Sequence, residues 1–251
     1  MSDAAGIGNA FTAALGLIVE FDSTLGEIIF LSLRVSLTAV LLAALIGLPC
    51  GAWLAMTRSP VKTVLVTLVN ALMGLPPVVV GLVVYLLLSN AGVLGPLQLL
   101  YTPTAMIIAQ AILVLPILIA LTRQSLLALD HEYHEQLSLL GIHGIARIKT
   151  FLWEGRHALL TALLAGFGRA IAEVGAVIIV GGNINHVTRV MTTTIALETS
   201  KGNLALALGL GIILVLIAVC VNALVIMLGS RSRQTISVSY THLTLPTIYS
   251  V

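Results

Sequence analysis

Charged residues are scarce in this sequence, at 9% of its 251 residues, whereas apolar residues make up 59%. Soluble domains carry roughly 25% charged residues, which they need to cover a surface in contact with water. A chain with so little charge cannot cover its surface in this way, so lipid must replace water around much of the fold. The composition therefore excludes an ordinary soluble domain and indicates an integral membrane protein.

Cysteine is also rare, with two residues in the chain. Cys50 and Cys220 both lie in apolar runs, so a disulfide framework is not indicated and both are interpreted as small apolar side chains. The formal net charge of +2 is small and dispersed, which gives no sign of nucleic-acid binding. The first ten residues contain neither Lys nor Arg, unlike a cleavable signal peptide.

Five apolar runs are long enough to cross the hydrocarbon core as helices, which takes about 20 residues each. They are continuous runs and not short alternating segments, so the sequence predicts an all-α membrane protein and not a barrel. The predicted spans are Ile28–Met56, Val61–Ser89, Thr104–Thr122, Ala158–Gly181 and Leu204–Leu228. Residues 28–230 would form the membrane domain. In the preceding segment, residues 1–27, the shorter run Ala10–Val19 is expected to lie at the membrane surface or to cap the bundle.

Basic residues are unevenly distributed between the two sides of these spans. Of the 12 in the chain, Arg34 and Arg169 fall within spans, and most of the others flank one side. That side has Arg58, Lys62, Arg123, Arg147, Lys149, Arg156, Arg231 and Arg233, and the other side has Arg189 and Lys201. Because cytoplasmic loops are enriched in Lys and Arg, this predicts an N-terminus outside and a C-terminus in the cytoplasm.

Helix-breaking residues interrupt the first two predicted spans, at residues 47–51 (GLPCG) and 74–77 (GLPP). Proline removes a helix hydrogen bond and forces a kink. In a membrane this is tolerated where the backbone faces protein or a water-filled cavity, so each motif is either a packing kink or part of a translocation path. The GxxxG spacing in the first motif also permits close helix approach.

The most charged part of the chain is the predicted cytoplasmic loop Arg123–His157. Within it, residues 130–140 are predicted to form a helix that starts near Asp130 and ends before Gly141. Such a loop could be only a connector. However, leucines on a charged helix at the inner face of a membrane protein suit docking to a soluble partner.

Residues 135–141 (EQLSLLG) place a Glu and a Gly six positions apart in this loop. The pattern resembles the EAA loop of ABC importer permeases, with Gln136 and Leu137 in place of two alanines and Trp153-Glu154 near the usual Leu-Pro. The resemblance implies that the loop sits in a cleft of an ATPase. The residues that it assigns to ATPase coupling are Glu135, Gln136, Leu137, Leu140 and Gly141.

Other segments carry the same resemblance. Residues 36–55 are similar to the first core helix of such permeases, and residues 75–81 (LPPVVVG) to the second in the molybdate, tungstate and sulfate group. Residues 166–175 (GFGRAIAEVG), 180–184 (VGGNI) and 192–199 (TTTIALET) are similar to tungstate-type permeases in particular. The resemblance implies an oxyanion importer, with tungstate favoured and molybdate or sulfate as alternatives.

Motifs for catalysis or cofactor binding are not found. The nearest phosphate-loop pattern, residues 144–150 (GIARIKT), lacks the glycine before Lys149 that lets backbone amides close on phosphate. His131 and His134 have the wrong spacing for a zinc helix, which needs histidines four apart. The chain is therefore expected not to be an enzyme and to hold no cofactor, and the resemblance implies that ATP and Mg²⁺ bind separate ATPase subunits.

Arg169 and Glu173 stand four apart in the fourth predicted span and so share a helix face. Ionisable groups in a membrane cost at least about 2.5 kcal/mol each, so this pair should face the bundle interior. It is either a structural ion pair between helices or part of a pore or gate. The residues assigned to a translocation path are Pro76, Pro77, Arg169, Glu173, Asn183, Thr192 and Thr193.

Basic residues within the spans are too few to bind a dianion tightly, which favours a low-affinity conduit whose selectivity is supplied elsewhere. The resemblance implies an extracytoplasmic oxyanion-binding protein, ATPase subunits and a prokaryotic cell membrane, with a homodimer of the permease as the default. A stand-alone channel or ion-coupled carrier is the rival interpretation, and it predicts more intramembrane carboxylates than Glu173.

Residues 238–251 (VSYTHLTLPTIYSV) differ from the rest of the chain, because they are rich in Thr and Ser and contain neither a span nor a cap. They look like translated adapter sequence and are left out of the fold prediction. The alternative is a short cytoplasmic tail.

Overall fold

The computed structural model describes residues 12, 16, 23–57 and 59–233. Within these ranges the chain forms α-helices and one 3-10 turn, with no strand, which confirms the predicted all-α class. The helices are α1 (Ser23–Met56), α2 (Val61–Met73), α3 (Pro77–Leu88), α4 (Pro103–Leu139), α5 (Gly144–Glu154), α6 (Arg156–Ile171), α7 (Gly175–Gly181), α8 (Met191–Ser200) and α9 (Leu204–Arg233). Arg58, the tail 238–251 and all but two residues of the predicted surface helix Ala10–Val19 lie outside the described residues.

The predicted number of spans agrees with the described helices. Three stretches are individually long and apolar enough to cross a membrane: Thr24–Met56, Pro103–Tyr133 and Leu204–Leu224. Two pairs of shorter helices meet the requirement only together, and both are bent, α2 with α3 by 97° and α6 with α7 by 57°. Counting each bent pair as one span gives five, as the apolar runs predict.

Helices α1 and α4 form the centre of the bundle and run parallel to each other. A Cβ atom at Gly47 would lie 3.0 Å from the Cβ of Leu118, and one at Gly51 would lie 2.7 Å from the Ile119 carbonyl oxygen. Two helices can approach this closely only where a side chain is missing, so the expected GxxxG contact is confirmed. We call the end at which α1 and α4 begin the upper end and the end at which they finish the lower end.

The motif at residues 47–51 does not break its helix, unlike the motif at residues 74–77. Helix α1 continues through Pro49 to Met56, and α4 likewise continues through Pro116. A proline removes only one hydrogen bond of the helix ladder. The close packing of α1 on α4 on both sides of Pro49 holds the remaining ladder in place.

Residues 130–139 are helical as predicted, but the predicted helix start near Asp130 was wrong. Helix α4 runs without a break to Leu139, so Asp130 lies inside it and does not start it. The physical reason is that no Gly or Pro occurs between Pro116 and Gly141, so nothing ends the helix where the apolar run ends.

The predicted helix end at Gly141 is confirmed. Gly141 adopts a φ of +69°, which suits a residue without a Cβ. The Ile142 N–H donates to the Leu137 carbonyl at 2.9 Å, and the Gly141 N–H donates to the Ser138 carbonyl at 3.1 Å. These two hydrogen bonds form a Schellman motif, which closes the end of α4.

Candidate functional site

The two bent helix pairs place their breaks side by side. A Cβ atom at Gly175, the first residue of α7, would lie 2.9 Å from Cγ2 of Val78 in the first turn of α3. One at Gly81 would lie 2.7 Å from the Cα atom of Ala176. The starts of α3 and α7 therefore touch through backbone, and we call this place the junction.

The first break enters the junction through two of the predicted path residues. Pro77 is the first residue of α3, and Pro76 precedes it with φ −62° and ψ 126°. Proline suits the first helical position because no N–H is needed there, and it forces the preceding residue out of the helical region. The predicted interruption at residues 74–77 is confirmed, with Pro76 exposed and Pro77 half-buried.

The second break lies at residues 172–174, inside the fourth predicted span, where the sequence has no proline. Glu173 occupies it with its side chain only 3% exposed. Glu173 Oε2 accepts a hydrogen bond from Arg169 Nη1 at 2.6 Å, and Oε1 accepts one from the Ala176 N–H at 3.1 Å. The Thr192 hydroxyl donates to the Glu173 carbonyl at 2.9 Å. The structure thus forms the expected ion pair, and Thr192 holds the backbone of Glu173 beside it.

Asn183 and Thr193, also predicted path residues, fasten a separate loop between α7 and α8. The Thr193 hydroxyl lies 2.9 Å from Asn183 Oδ1, and Asn183 Nδ2 donates to the Thr193 carbonyl at 3.4 Å. Asn183 adopts a φ of +49°, which Asn tolerates better than most residues do. Thr193 is fully buried, so it presents no accessible surface in this structure.

The electrostatics of the junction follow from these contacts. The guanidinium of Arg169 is about one third exposed and is already paired with the buried Glu173 carboxylate. A paired cation attracts a dianion far less than a free one does, because the two charges largely cancel at a distance. The junction is therefore a poor tight-binding site for an oxyanion.

The lower end exposes most of the residues expected to couple to an ATPase. Glu135 and Gln136 are exposed, and Leu140 is 72% exposed just before the Schellman turn at Gly141. Leu137 differs, because it is buried in a small apolar cluster with other side chains of the lower end. It anchors the end of α4 and does not belong to the exposed surface.

Helix α5 contributes to the same surface in a way that the sequence analysis missed. Ile145, Lys149 and Trp153 are exposed and recur every four residues, so they lie along one face of this helix. The four-residue spacing of these side chains was the signal in the sequence that could have predicted this exposed face. On the other face, Arg147 pairs with Asp130 of α4, and its guanidinium lies 5.5 Å from the centroid of the Phe151 ring.

Among the residues that the structure describes, no group of three or more His, Cys, Asp or Glu side chains is arranged to hold a metal ion. His131, which the sequence analysis rejected as a zinc ligand, is exposed on α4.

Comparison with known proteins agrees with the membrane architecture. Residues 47–234 match the family model of the binding-protein-dependent transport system inner membrane component. The chain is 43% identical over 197 residues to the tungstate uptake system permease protein TupB of Peptoclostridium acidaminophilum, which covers 78% of this chain and 86% of that protein.

Two further relatives extend this similarity. The TupB protein of Campylobacter jejuni subsp. jejuni is 37% identical over 199 residues, covering 79% of this chain and 83% of that protein. A probable anion ABC transporter permease protein of Haloferax volcanii is 41% identical over 178 residues, covering 69% of this chain and 77% of its own. Permeases named for molybdenum or sulfate transport match at lower identity, such as 29% and 30%.

Proposed function

We propose that this chain, which belongs to the family of binding-protein-dependent transport system inner membrane components, is the permease of an ATP-driven importer for tungstate. As a permease of that family it is a transporter subunit and not an enzyme. One observation carries the choice of anion. The relatives named for tungstate are 43% and 37% identical, whereas those named for molybdenum or sulfate are more distant.

The contacts at the junction favour passage of the anion over tight binding. A dianion cannot cross hydrocarbon, because an unpaired charge there costs tens of kcal/mol, so its path must be wet. Arg169 is neutralised by Glu173, so the junction would let the anion pass without holding it tightly. We assign Pro76, Pro77, Arg169, Glu173 and Thr192 to the wall of this path. Asn183 and Thr193 support the adjoining loop.

Coupling to the ATPase is assigned to the lower end. The exposed tip of α4, with Glu135, Gln136, Leu140 and Gly141, would dock on the ATPase subunits. The buried Leu137 and the Asp130–Arg147 pair hold that tip on α5, so a movement of the tip would be transmitted into the bundle.

Orientation follows from the basic residues of the described chain. Lys62, Arg123, Arg147, Lys149 and Arg156 lie towards the lower end, which supports a cytoplasmic lower end in a prokaryotic cell and an N-terminus outside.

A second copy of the chain is the proposed partner within the membrane. Helix α2 buries none of its residues in the described chain although it is strongly apolar. Five spans are few for a gated path, and cyclic dimers are the commonest oligomers. We therefore propose a homodimer surrounded by lipid, with an extracytoplasmic binding protein at the upper end.

Reconstitution tests the proposal directly. The permease would be placed in proteoliposomes with its ATPase and a binding protein, and uptake of tungstate, molybdate and sulfate compared with and without ATP. We expect ATP-dependent uptake with tungstate preferred. Equal uptake of sulfate would contradict the choice of anion, and uptake without ATP would favour a channel or ion-coupled carrier.

The coupling assignment has its own test. Glu135→Ala should reduce the ATPase activity stimulated by loaded binding protein while leaving membrane insertion unchanged. Glu132→Ala is the matched control, since it removes the same side chain from an exposed position one turn earlier on α4. Equal stimulation in both variants would remove the tip of α4 from the mechanism.

Orientation can be read from cysteine labelling. After replacement of Cys50 and Cys220, a cysteine at Asn90 should react with an impermeant maleimide added to intact cells, and one at Ser138 should not. Both positions are exposed, so accessibility depends on the side of the membrane. The reverse labelling pattern would invert the assignment.

A further inference from the structure

A cavity of about 390 Å³ opens at the upper end, between the beginnings of α1 and α4 and the loop that leads into α8. Four ionisable side chains line it: Glu27, Arg34, His186 and Arg189. In the sequence, Arg34 falls inside a predicted span and Arg189 beside one, with nothing that connects them. The fold brings these two arginines, which are far apart in the sequence, to one cavity.

The charge in this cavity is not cancelled by its own carboxylate. Glu27 Oε2 lies 2.7 Å from Nδ1 of His186, so the carboxylate already has a partner. None of the described residues forms an ion pair with Arg34 or Arg189. The Nε atom of Arg189 is buried and lacks a hydrogen-bond partner among the described residues.

Arg189 also borders a second cavity, and the carboxylate there is already engaged. Glu198 lines that cavity together with Arg189. Glu198 Oε1 accepts a hydrogen bond from Lys201 Nζ at 2.8 Å, and Oε2 accepts one from Asn203 Nδ2 at 3.0 Å. Within the described part of the chain, both guanidinium groups therefore keep donors for an external ligand.

We infer that the cavity lined by Arg34 and Arg189 is an entry site that receives the oxyanion at the upper end, before it reaches the junction. The inference rests on the proposed function, because its ligand is the cargo of the transporter. Two guanidinium groups match the charge of a dianion, and each can donate two parallel hydrogen bonds to an oxyanion. The cavity is large enough for a tetrahedral oxyanion and several waters, since a water occupies about 30 Å³ in the liquid.

This site and the junction then have different tasks. The entry site offers two arginines that form no ion pair with the described residues, in an open cavity that attracts an anion but holds it weakly because water weakens the attraction between charges. The junction offers one paired cation and passes the anion on.

Occupancy of the cavity can be measured without transport. Val187 lines the cavity and is 46% exposed, so Val187→Cys in a background without Cys50 and Cys220 would be labelled with an anionic thiol reagent in detergent. Sodium tungstate should slow the labelling, whereas sodium chloride at the same ionic strength should slow it much less.

The arginine variants give the decisive comparison. Arg34→Gln and Arg189→Gln should each raise the tungstate concentration for half-protection by roughly tenfold, because each removes charge-assisted hydrogen bonds. Arg34→Lys should keep part of the protection. Lys149→Gln is the control, because it removes one positive charge from an exposed side chain that lines neither cavity.

The sign of a third substitution separates anion binding from a structural role. Glu27→Gln removes the negative charge of the cavity and should strengthen protection by tungstate. If Glu27 had only a structural role, this substitution would lower the thermal stability and would not strengthen protection. Thermal unfolding of each variant checks its fold. If Arg189→Gln does not fold, Arg34→Gln carries the test, because Arg34 is exposed.

The outcomes distinguish this inference from the proposed function. Equal protection in Arg34→Gln and Lys149→Gln, or equal protection by chloride, would overturn the entry site even if tungstate uptake is normal. Protection that depends on both arginines would support it. If the reconstituted transporter then failed to take up tungstate, the proposed function would be wrong and the anion site would stand.

Discussion

The two breaks that meet at the junction are built in different ways. At the α2–α3 break the covalent structure makes the bend, because Pro77 has no N–H to donate and the ring of Pro76 fixes its own φ near −62°. At the α6–α7 break no proline is present. There the carboxylate of Glu173 accepts the Ala176 N–H at the start of α7 and pairs with Arg169.

This difference shows that a bent span can be specified by the backbone or by side-chain contacts. The two kinds of bend should differ in how well they survive substitution of neighbouring residues. A bend made by proline persists whatever its neighbours do. A bend held by a buried carboxylate depends on its partners, because removing one of them leaves a charge or a donor unpaired. We therefore expect the α6–α7 break to be the more fragile of the two.

The largest effect is expected at Glu173. Glu173→Ala leaves the Arg169 guanidinium without its partner and the Ala176 N–H without its acceptor, so we expect a loss of about 3–5 kcal/mol of stability. Glu173→Gln keeps an acceptor oxygen for the Ala176 N–H, so its stability should lie between that of the parent and that of Glu173→Ala. Folded yield and thermal unfolding in detergent measure both variants. A Glu173→Ala protein as stable as the parent would contradict a bend held by this carboxylate.

A paired substitution separates the structural interpretation of this ion pair from a role in the path. Arg169→Met together with Glu173→Met removes both charges and should recover much of the folded yield lost in Glu173→Ala. A wall of the anion path predicts that ATP-dependent uptake in proteoliposomes nevertheless stays low. Full uptake by this double variant would leave the pair with a purely structural role.

The next effect tests whether the two breaks depend on each other. A Cβ atom at Gly81 would lie 2.7 Å from the Ala176 backbone, so Gly81→Ala must push α3 away from α7 and should cost about 1–3 kcal/mol. Gly168→Ala is the control, because its Cβ would meet nothing within 4 Å, and it should stabilise α6 by roughly 0.5–1 kcal/mol. Equal shifts in melting temperature for the two variants would show that the breaks do not support each other.

A smaller effect is expected from the prolines themselves. Pro76→Ala leaves Pro77 to keep the preceding residue out of the helical region, so the bend should survive with a change of less than about 1 kcal/mol. Replacing both prolines should cost more than the two single changes together, because α2 and α3 could then join. A loss in Pro76→Ala as large as that in Glu173→Ala would reverse the ranking of the two breaks.

The smallest effect concerns Glu198, a carboxylate that holds the turn after α8, outside the candidate spans. The hydrogen bond from Lys201 keeps the pKa of Glu198 below its ordinary value of 4.5, against the opposing effect of burial and with help from Asn203 and the charge of Arg189. Because the pKa is lower in the folded state, the stabilisation is present above about pH 4.5 and is lost as the pH falls through the folded pKa.

This turn, like the α6–α7 break, should therefore respond to the loss of its carboxylate charge, whereas a proline bend should not. The melting temperature of the parent is expected to fall more steeply below pH 4.5 than that of Glu198→Gln. The difference should be modest, because the Lys201 side chain is 52% exposed and water screens the pair. Parallel pH curves would show that the carboxylate of Glu198 adds nothing to stability.

A feature of the fold could be predicted from the sequence where residues close to it in the chain cause it. The apolar runs, the bend at residues 74–77 and the helix end at Gly141 each follow from residues that act on their own backbone. The break at Glu173 was missed because no proline marks it in the sequence, and the hydrogen bonds of Glu173 with Ala176 and Thr192 form only in the folded chain. The length of α4 was missed because an apolar run shows where lipid ends, whereas a helix ends only at a residue that stops it.

The same division applies to the candidate sites. The pairing of Arg169 with Glu173 could be predicted because residues four apart on a helix face each other. The convergence of Arg34 and Arg189 could not, since it depends on how α1 packs beside the loop before α8. Leu137 was assigned to the docking surface because its neighbours in the motif are there, and only the packing at the lower end shows that it points inward.

The uninterrupted course of α4 has a mechanical consequence. Its 37 residues make a rod about 55 Å long at ~1.5 Å per residue, with Pro103 beside the upper cavity and Leu139 beyond the lower end. A tilt of about 5° about one end of such a rod would carry the other end through roughly 5 Å, close to one helical turn. Since no loop lies between the two ends to absorb the motion, Pro116 is the position at which the rod can flex. As long as the helix stays straight at Pro116, a displacement of its lower tip is transmitted along the whole helix to the upper cavity.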